Sequence, residues 1–193
     1  VLIWGYGGIL SLGQGVFFGL GSYFMAMFLK LEASANADSS SGTALSAFFG
    51  SAGLPDFMAW NSVETLPWWW EPFHHASFTL LAIVAIPPAV AFVLAYANFR
   101  KRVGGVYFSI VTLALAAIMA IVIIGQQGTT GGVNGITDFK TFLGRDLDSP
   151  AAKTLMYFVT ALLLLGCVLV GALLLKTRLG RVLVAIRDRE DRV

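Results

Sequence analysis

Four long stretches without a charged side chain limit what this chain can fold into. They are residues 1–29, 76–99, 103–137 and 154–175. A helix needs about 20 predominantly apolar residues to cross a membrane, and each stretch is long enough. Backbone polar groups in lipid must be paired, so spanning segments are helical. The sequence therefore predicts an all-α, polytopic helical membrane protein with about four spans.

The predicted spans lie within a single transmembrane domain that covers residues 1–193. Only 12% of the residues are charged, about half the share that is usual in soluble domains. We place the spans at about residues 9–30, 77–97, 106–124 and 154–175. The chain does not begin with Met and is apolar from its first residue, so we interpret it as a portion of a longer membrane protein. Whether residues 1–8 finish a preceding span stays open.

The distribution of basic residues predicts the orientation. Basic residues prefer the cytoplasmic side of a membrane. If residues 98–105 and 176–193 are cytoplasmic and loops 31–76 and 125–153 are periplasmic, nine of the 13 basic residues lie inside. The span count and the charge bias therefore agree.

The first span combines many glycines with polar side chains at membrane depth. Ser11, Gly13 and Gln14 follow a glycine-rich start that is a poor continuous helix. A broken helix whose N-terminal amides face a cavity is a device by which transporters bind polar solutes. The alternative is close helix packing through small residues. Both interpretations stay open at this point.

Two further polar groups complete the candidate substrate path. Ser109 and Thr112 lie on one face of the third span, and a glycine-rich loop follows that span. From this loop we select Thr130, Gly131, Gly132 and Asn134. The loop has no phosphate-binding lysine motif. It is either a flexible connection or a structured cap on the path.

Three other features favour structural roles. The tryptophans at positions 68–70 are typical of an aromatic belt at the membrane surface. His74 and His75 are adjacent, and adjacent helical positions do not share a face, so we expect no metal site. Cys167 lies in an apolar run, where a lone thiol is a small packing residue.

The C-terminal segment predicts an amphipathic helix. Leu179, Val182, Leu183 and Ile186 recur at helical spacing and form one apolar stripe. Such a helix either lies in the membrane interface or docks on a soluble partner. Its mixed charge argues against a pure lipid binder.

Several segments resemble one transporter family. GYGGILSLGQGVFFGLGSYFMAMFLK and GRVLVAIRDRE are similar to the signature and the cytoplasmic loop of ABC importer permeases of the branched-chain amino acid (LivH/LivM-like) type. LPWWWEPF, FRKRVGGVYFSIVTLAL and TTGGVNGITDFKTFLG resemble most closely its urea importer branch. The loop GQQGTTGGVNG is less asparagine-rich than that branch. The resemblance covers essentially the whole chain.

The resemblance implies a permease subunit that imports urea by alternating access across the bacterial inner membrane. Its implied partners are a second homologous permease, cytoplasmic ATPase subunits and a periplasmic binding protein, with no nucleic acid. ATP would be used by the ATPase, and this chain would bind no cofactor. The apolar stripe would insert in a groove on the ATPase. The implied coupling residues are Leu179, Gly180, Arg181, Val182, Leu183, Ala185, Ile186, Arg187, Asp188 and Glu190.

One other cargo and three other classes of membrane protein are alternatives to a urea importer. Branched-chain amino acids are the alternative cargo, although the lack of charge within the spans favours a neutral solute. A passive channel needs no ATPase, so the charged C-terminal helix would have no partner to bind. A membrane enzyme is disfavoured because the sequence offers no paired intramembrane carboxylates and no metal-spaced His/Cys set. A purely structural subunit fits the glycine-rich first span poorly.

Overall fold

The computed structural model describes residues 2–41, 54–100, 105–139, 141–142 and 145–188. A π-helical segment, Leu2–Tyr6, precedes α1 (Gln14–Ser41). Two short elements, α2 (Asp56–Trp60) and a 3₁₀ turn (Glu71–His74), lead to α3 (Ala76–Arg100). The remaining elements follow in chain order: α4 (Gly105–Gly125), α5 (Gln127–Thr130), β1 (Thr141–Phe142), β2 (Arg145–Asp146), α6 (Pro150–Lys176) and α7 (Arg178–Asp188).

Four of these helices, α1, α3, α4 and α6, are long and apolar enough to span a membrane. The strands form one small antiparallel hairpin with Thr141 opposite Asp146. The predicted all-α polytopic fold is confirmed, and α7 occupies the position expected for the amphipathic helix. Helix α6 starts at Pro150 behind the N-cap Ser149, whose hydroxyl accepts a hydrogen bond from the amide of Ala152 at 3.3 Å.

The first helix differs from the predicted span of 9–30. It begins at Gln14 and continues to Ser41, so residues 31–41, expected in a loop, are helical. The charge on Lys30 favoured an end to the span at that point. In the structure Lys30 is only 5% exposed, and its Nζ lies 3.2 Å from Oδ2 of Asp56. The ion pair compensates for the burial of the ammonium within α1, and the candidate membrane span in this helix is Gln14–Ala35.

The apolar core lies where the middle of α1 meets the segment before α3. Met58 and Trp70 are fully buried, and the ring of Phe73 stacks on Phe24 with centroids 5.2 Å apart. Trp70 is therefore a core residue, which corrects the aromatic-belt interpretation for this position; Trp68 remains exposed. The described residues 54–75 thus form a packed cap on α1. Residues 42–53, which include part of the predicted apolar patch, lie outside the described residues.

Candidate functional site

The first span is interrupted before α1, as its glycines predict. Residues 7–13 lie between the π-helical segment and Gln14 without helical structure. The hydroxyl of Ser109 donates a hydrogen bond to the carbonyl of Leu10 at 2.6 Å, and the amide of Leu12 donates to the hydroxyl of Thr112 at 3.1 Å. Unpaired backbone groups are costly at membrane depth. Two side chains of α4 therefore supply partners for the non-helical stretch.

Close packing explains the glycine at position 13. A Cβ atom there would lie 2.6 Å from the carbonyl oxygen of Thr112, closer than a real Cβ approaches. The interrupted segment thus lies directly against α4. Five residues of the predicted path come together here: Ser11, Gly13, Gln14, Ser109 and Thr112.

A cavity of about 320 Å³ opens beside this contact. It lies between the break before α1, the last turns of α3, the first half of α4 and α7. Its polar side chains are those of Ser11, Gln14, Asn98 and Thr112, and most of the other described lining residues are apolar. The described lining includes no charged side chain.

Asn98 was missed as a cavity residue in the sequence. Its side-chain amide donates a hydrogen bond to the carbonyl of Leu94 at 2.7 Å, and both residues line the cavity. The available signal was a single amide at the end of an otherwise apolar span. Nothing in that pattern indicates which face of α3 the amide occupies, so its position needs the packed helices.

Helix α7 packs against α6 and against the π-helical segment Leu2–Tyr6. Gly180 is buried, and a Cβ atom there would collide with the carbonyl oxygen of Leu175. Leu183 lines the cavity and is 36% exposed, and its predicted contact with an ATPase stays a prediction. Arg181, Val182 and Ala185 are exposed. The side chains of Leu179, Ile186, Arg187 and Asp188 lie outside the described part, and so does Glu190.

A family model described as "Branched-chain amino acid transport system / permease component" matches residues 1–193. The chain belongs to this permease family. It is a transport component and a multi-pass membrane protein. Membership implies ATPase and binding-protein partners in general, as in other ABC importers. No curated protein and no solved structure matches the permease significantly.

The glycine-rich loop of the permease lies away from the cavity. Thr112 and the end of α4 are separated by about 20 Å, at 1.5 Å per helical residue, and the loop follows that end. Thr130, Gly131, Gly132 and Asn134 are therefore not brought together with Ser11 and Gln14. The predicted path residues form two groups at opposite ends of α4.

The loop is a compact turn rather than a featureless connection. The hydroxyl of Thr130 lies 2.6 Å from the carbonyl oxygen of Ile123 and 2.9 Å from that of Gln126, and the Thr130 carbonyl accepts a hydrogen bond from Tyr23. Gly131 has φ +80°, and a Cβ atom there would collide with the carbonyl of Gly135. Only glycine fits this position without strain. Asn134 is exposed.

A second, more polar cavity of the permease lies beside the cap. Glu32, His74 and His75 line it. Partial burial lowers the pKa of His74, the neighbouring charge of His75 lowers it further, and Glu71 opposes both effects. Among the described residues, no group of three or more His, Cys, Asp or Glu is placed to hold a metal ion.

Proposed function

We propose that this chain is the permease subunit of an ATP-driven importer that moves urea across the bacterial inner membrane by alternating access. The observation that carries the proposal is the cavity at the interrupted span. Its polar groups are hydroxyls and amides, and its described lining is uncharged. Urea is small, neutral and rich in hydrogen-bond donors and acceptors. Ser11, Gln14, Asn98 and Thr112 offer complementary groups.

The sequence supports urea independently of the cavity. Three segments, residues 66–73, 99–115 and 129–144, resemble the urea branch of the family. They contribute the packed cap with Trp70, the part of α4 that contacts the interrupted span, and the compact loop. The resemblance thus covers segments whose residues make defined packing contacts and hydrogen bonds in the structure.

A branched-chain amino acid is the second candidate cargo. The family description names it, and the apolar lining of the cavity favours an aliphatic side chain. Phe17, Leu94, Val111 and Leu115 are among these lining residues. An amino acid also carries two charges, and burial of a charge without a partner is costly. The uncharged lining therefore favours urea.

The proposed assembly contains a second homologous permease, two cytoplasmic ATPases and a periplasmic binding protein. ATP would be bound and hydrolysed by the ATPases, and this chain would bind no cofactor. The exposed face of α7, with Arg181, Val182 and Ala185, would contact an ATPase. Its motion would then reach the cavity through the same helix.

Reconstitution of the full-length parent with its partners in proteoliposomes tests the proposal. Uptake of labelled urea and labelled leucine is measured side by side, with and without ATP. ATP-dependent urea uptake supports the proposal. ATP-dependent uptake of leucine alone keeps the ABC permease function and overturns the urea assignment. Flux of either solute that is independent of ATP contradicts the importer mechanism.

A further inference from the structure

Leu183 places α7 in direct contact with the cavity. Of the described side chains of α7, that of Leu183 lines the 320 Å³ space that Gln14 and Thr112 also line. It approaches from the end where α3 terminates and α4 begins. Under the topology of the basic residues, that end faces the cytoplasm. Leu183 therefore lies between the cavity and the cytoplasm.

The way α7 is joined to α6 means that a movement of α7 also moves Leu183 relative to the cavity. Gly180 is packed against the backbone of Leu175, so the junction between α6 and α7 is tight. Helix α7 also contacts the π-helical segment Leu2–Tyr6, which precedes the cavity-lining Gly7. A displacement of α7 relative to that segment must shift the Leu183 side chain along the cavity wall.

The opposite face of α7 is free for a partner in this structure. Successive helical residues are about 100° apart, so Gly180, Leu183 and Val184 lie toward one side. Gly180 is buried and Val184 is partly buried, and Leu183 lines the cavity while remaining 36% exposed. Arg181, Val182 and Ala185 on the other side are exposed and do not line it. One short helix thus presents an inner face to the cavity and an outer face to its surroundings.

We propose that Leu183 is an apolar gate that closes the cavity on its α7 side and opens when α7 moves. The aliphatic side chain borders the cavity and is itself 36% exposed. In this position it excludes water and small polar solutes from the α7 side. Its displacement leaves a continuous path from the cavity past α7. This inference deepens the proposed function, because ATPase binding on the outer face supplies the force that moves the gate.

Thiol labelling of the assembled transporter tests the gate without reference to the cargo. In a background that lacks other reactive cysteines and carries Cys167→Ala, Leu115→Cys places a thiol in the cavity wall. The probe is a small cationic methanethiosulfonate reagent added on the cytoplasmic side without nucleotide. Leu183→Ala should accelerate labelling roughly tenfold, because truncation removes most of the apolar barrier. Leu183→Met, which retains the volume, should label as slowly as the parent.

Val182→Ala is the matched control, because this neighbour on α7 is exposed and does not line the cavity. Equal rates for Leu183→Ala and the parent overturn the gate, and so does equal acceleration by Val182→Ala. ATP addition provides a separate readout. If the parent transporter, which retains Leu183, is labelled faster during ATP turnover, the result supports control of the gate by the ATPase. Acceleration by Leu183→Ala without any ATP effect supports the gate and contradicts the proposed ATP-driven mechanism.

Discussion

The hydroxyl of Thr112 accepts a hydrogen bond from the backbone amide of Leu12 at 3.1 Å and joins two segments that are 100 residues apart in the chain. The same hydroxyl lies 3.0 Å from the carbonyl oxygen of Ser109 and donates to it. Thr112 is buried. Its side chain therefore connects the interrupted first span to α4 at the wall of the candidate cavity.

Thr112→Val should destabilise the permease, because it leaves the Leu12 amide without its acceptor. The bond is part-buried and Leu12 is 48% exposed, so its loss should cost about 0.5–1.5 kcal/mol. Thermal unfolding of the purified protein in detergent measures the effect. Thr112→Ser keeps the hydroxyl and should retain most of the stability. Equal losses in the two variants would show that the missing hydrogen bond is not the cause.

Gly13→Ala should disrupt the same contact through sterics. The added Cβ would lie 2.6 Å from the Thr112 carbonyl oxygen, so the interrupted segment or α4 must shift. Gly15→Ala is the matched control, since its Cβ meets nothing within 4 Å. Alanine in a helix is favoured over glycine by roughly 0.5–1 kcal/mol, so the control should be neutral or stabilising. A lower unfolding temperature for both variants would refute the packing argument.

The sequence predicts local features of this site better than tertiary ones. The break before Gln14 follows from clustered glycines, and the spans follow from apolar length. The contact between Leu12 and Thr112 depends on which helices are neighbours, and hydrophobic periodicity does not encode that. The stripe of α7 predicts an apolar face but not its orientation, so the position of Leu183 beside the cavity does not follow from the sequence.

The cap is a second place where the sequence pattern does not predict the tertiary contacts. A run of three tryptophans favours the membrane surface, yet Trp70 is fully buried beside Met58. The burial arises because residues 54–75 fold back on α1, and Lys30 pairs with Asp56 at that contact. A charged residue near the end of an apolar run therefore does not by itself mark the end of a span, because its partner can lie elsewhere in the chain. Long-range pairing of this kind leaves no local pattern.

Asp56→Ala should destabilise the cap by about 1–3 kcal/mol, because it leaves the buried Lys30 ammonium without its carboxylate. The Lys30 side chain is 6% exposed and that of Asp56 62% exposed, so the cost arises mainly from the lysine. Lys30→Met should be milder, since an apolar chain of similar length fills the same space. Chemical denaturation compares both single variants with the double variant. A double variant less stable than Asp56→Ala would contradict this account.

Gln14→Leu should lower substrate uptake while membrane expression stays normal. The Gln14 side chain is one of the polar groups of the cavity, and leucine removes its donors and acceptors without a large change in volume. Uptake in proteoliposomes is normalised to the amount of reconstituted protein. Thr160→Val is the control, because its hydroxyl is exposed on α6 and is bonded within its own helix. Normal uptake by Gln14→Leu would remove this residue from the path.

The double variant Arg181→Glu with Val182→Asp should uncouple ATP hydrolysis from transport. Both side chains lie on the exposed face of α7, so the change should leave the fold intact while it places carboxylates at the proposed ATPase contact. Loss of one close charge pair at an interface commonly costs about 2–5 kcal/mol, which predicts at least a tenfold fall in substrate-stimulated ATPase activity. Lys153→Glu reverses an exposed charge at the other end of α6, breaks only the exposed ion pair with Asp148, and controls for surface charge. Unchanged coupling in the double variant, with the control also normal, would exclude the outer face of α7 as the docking surface.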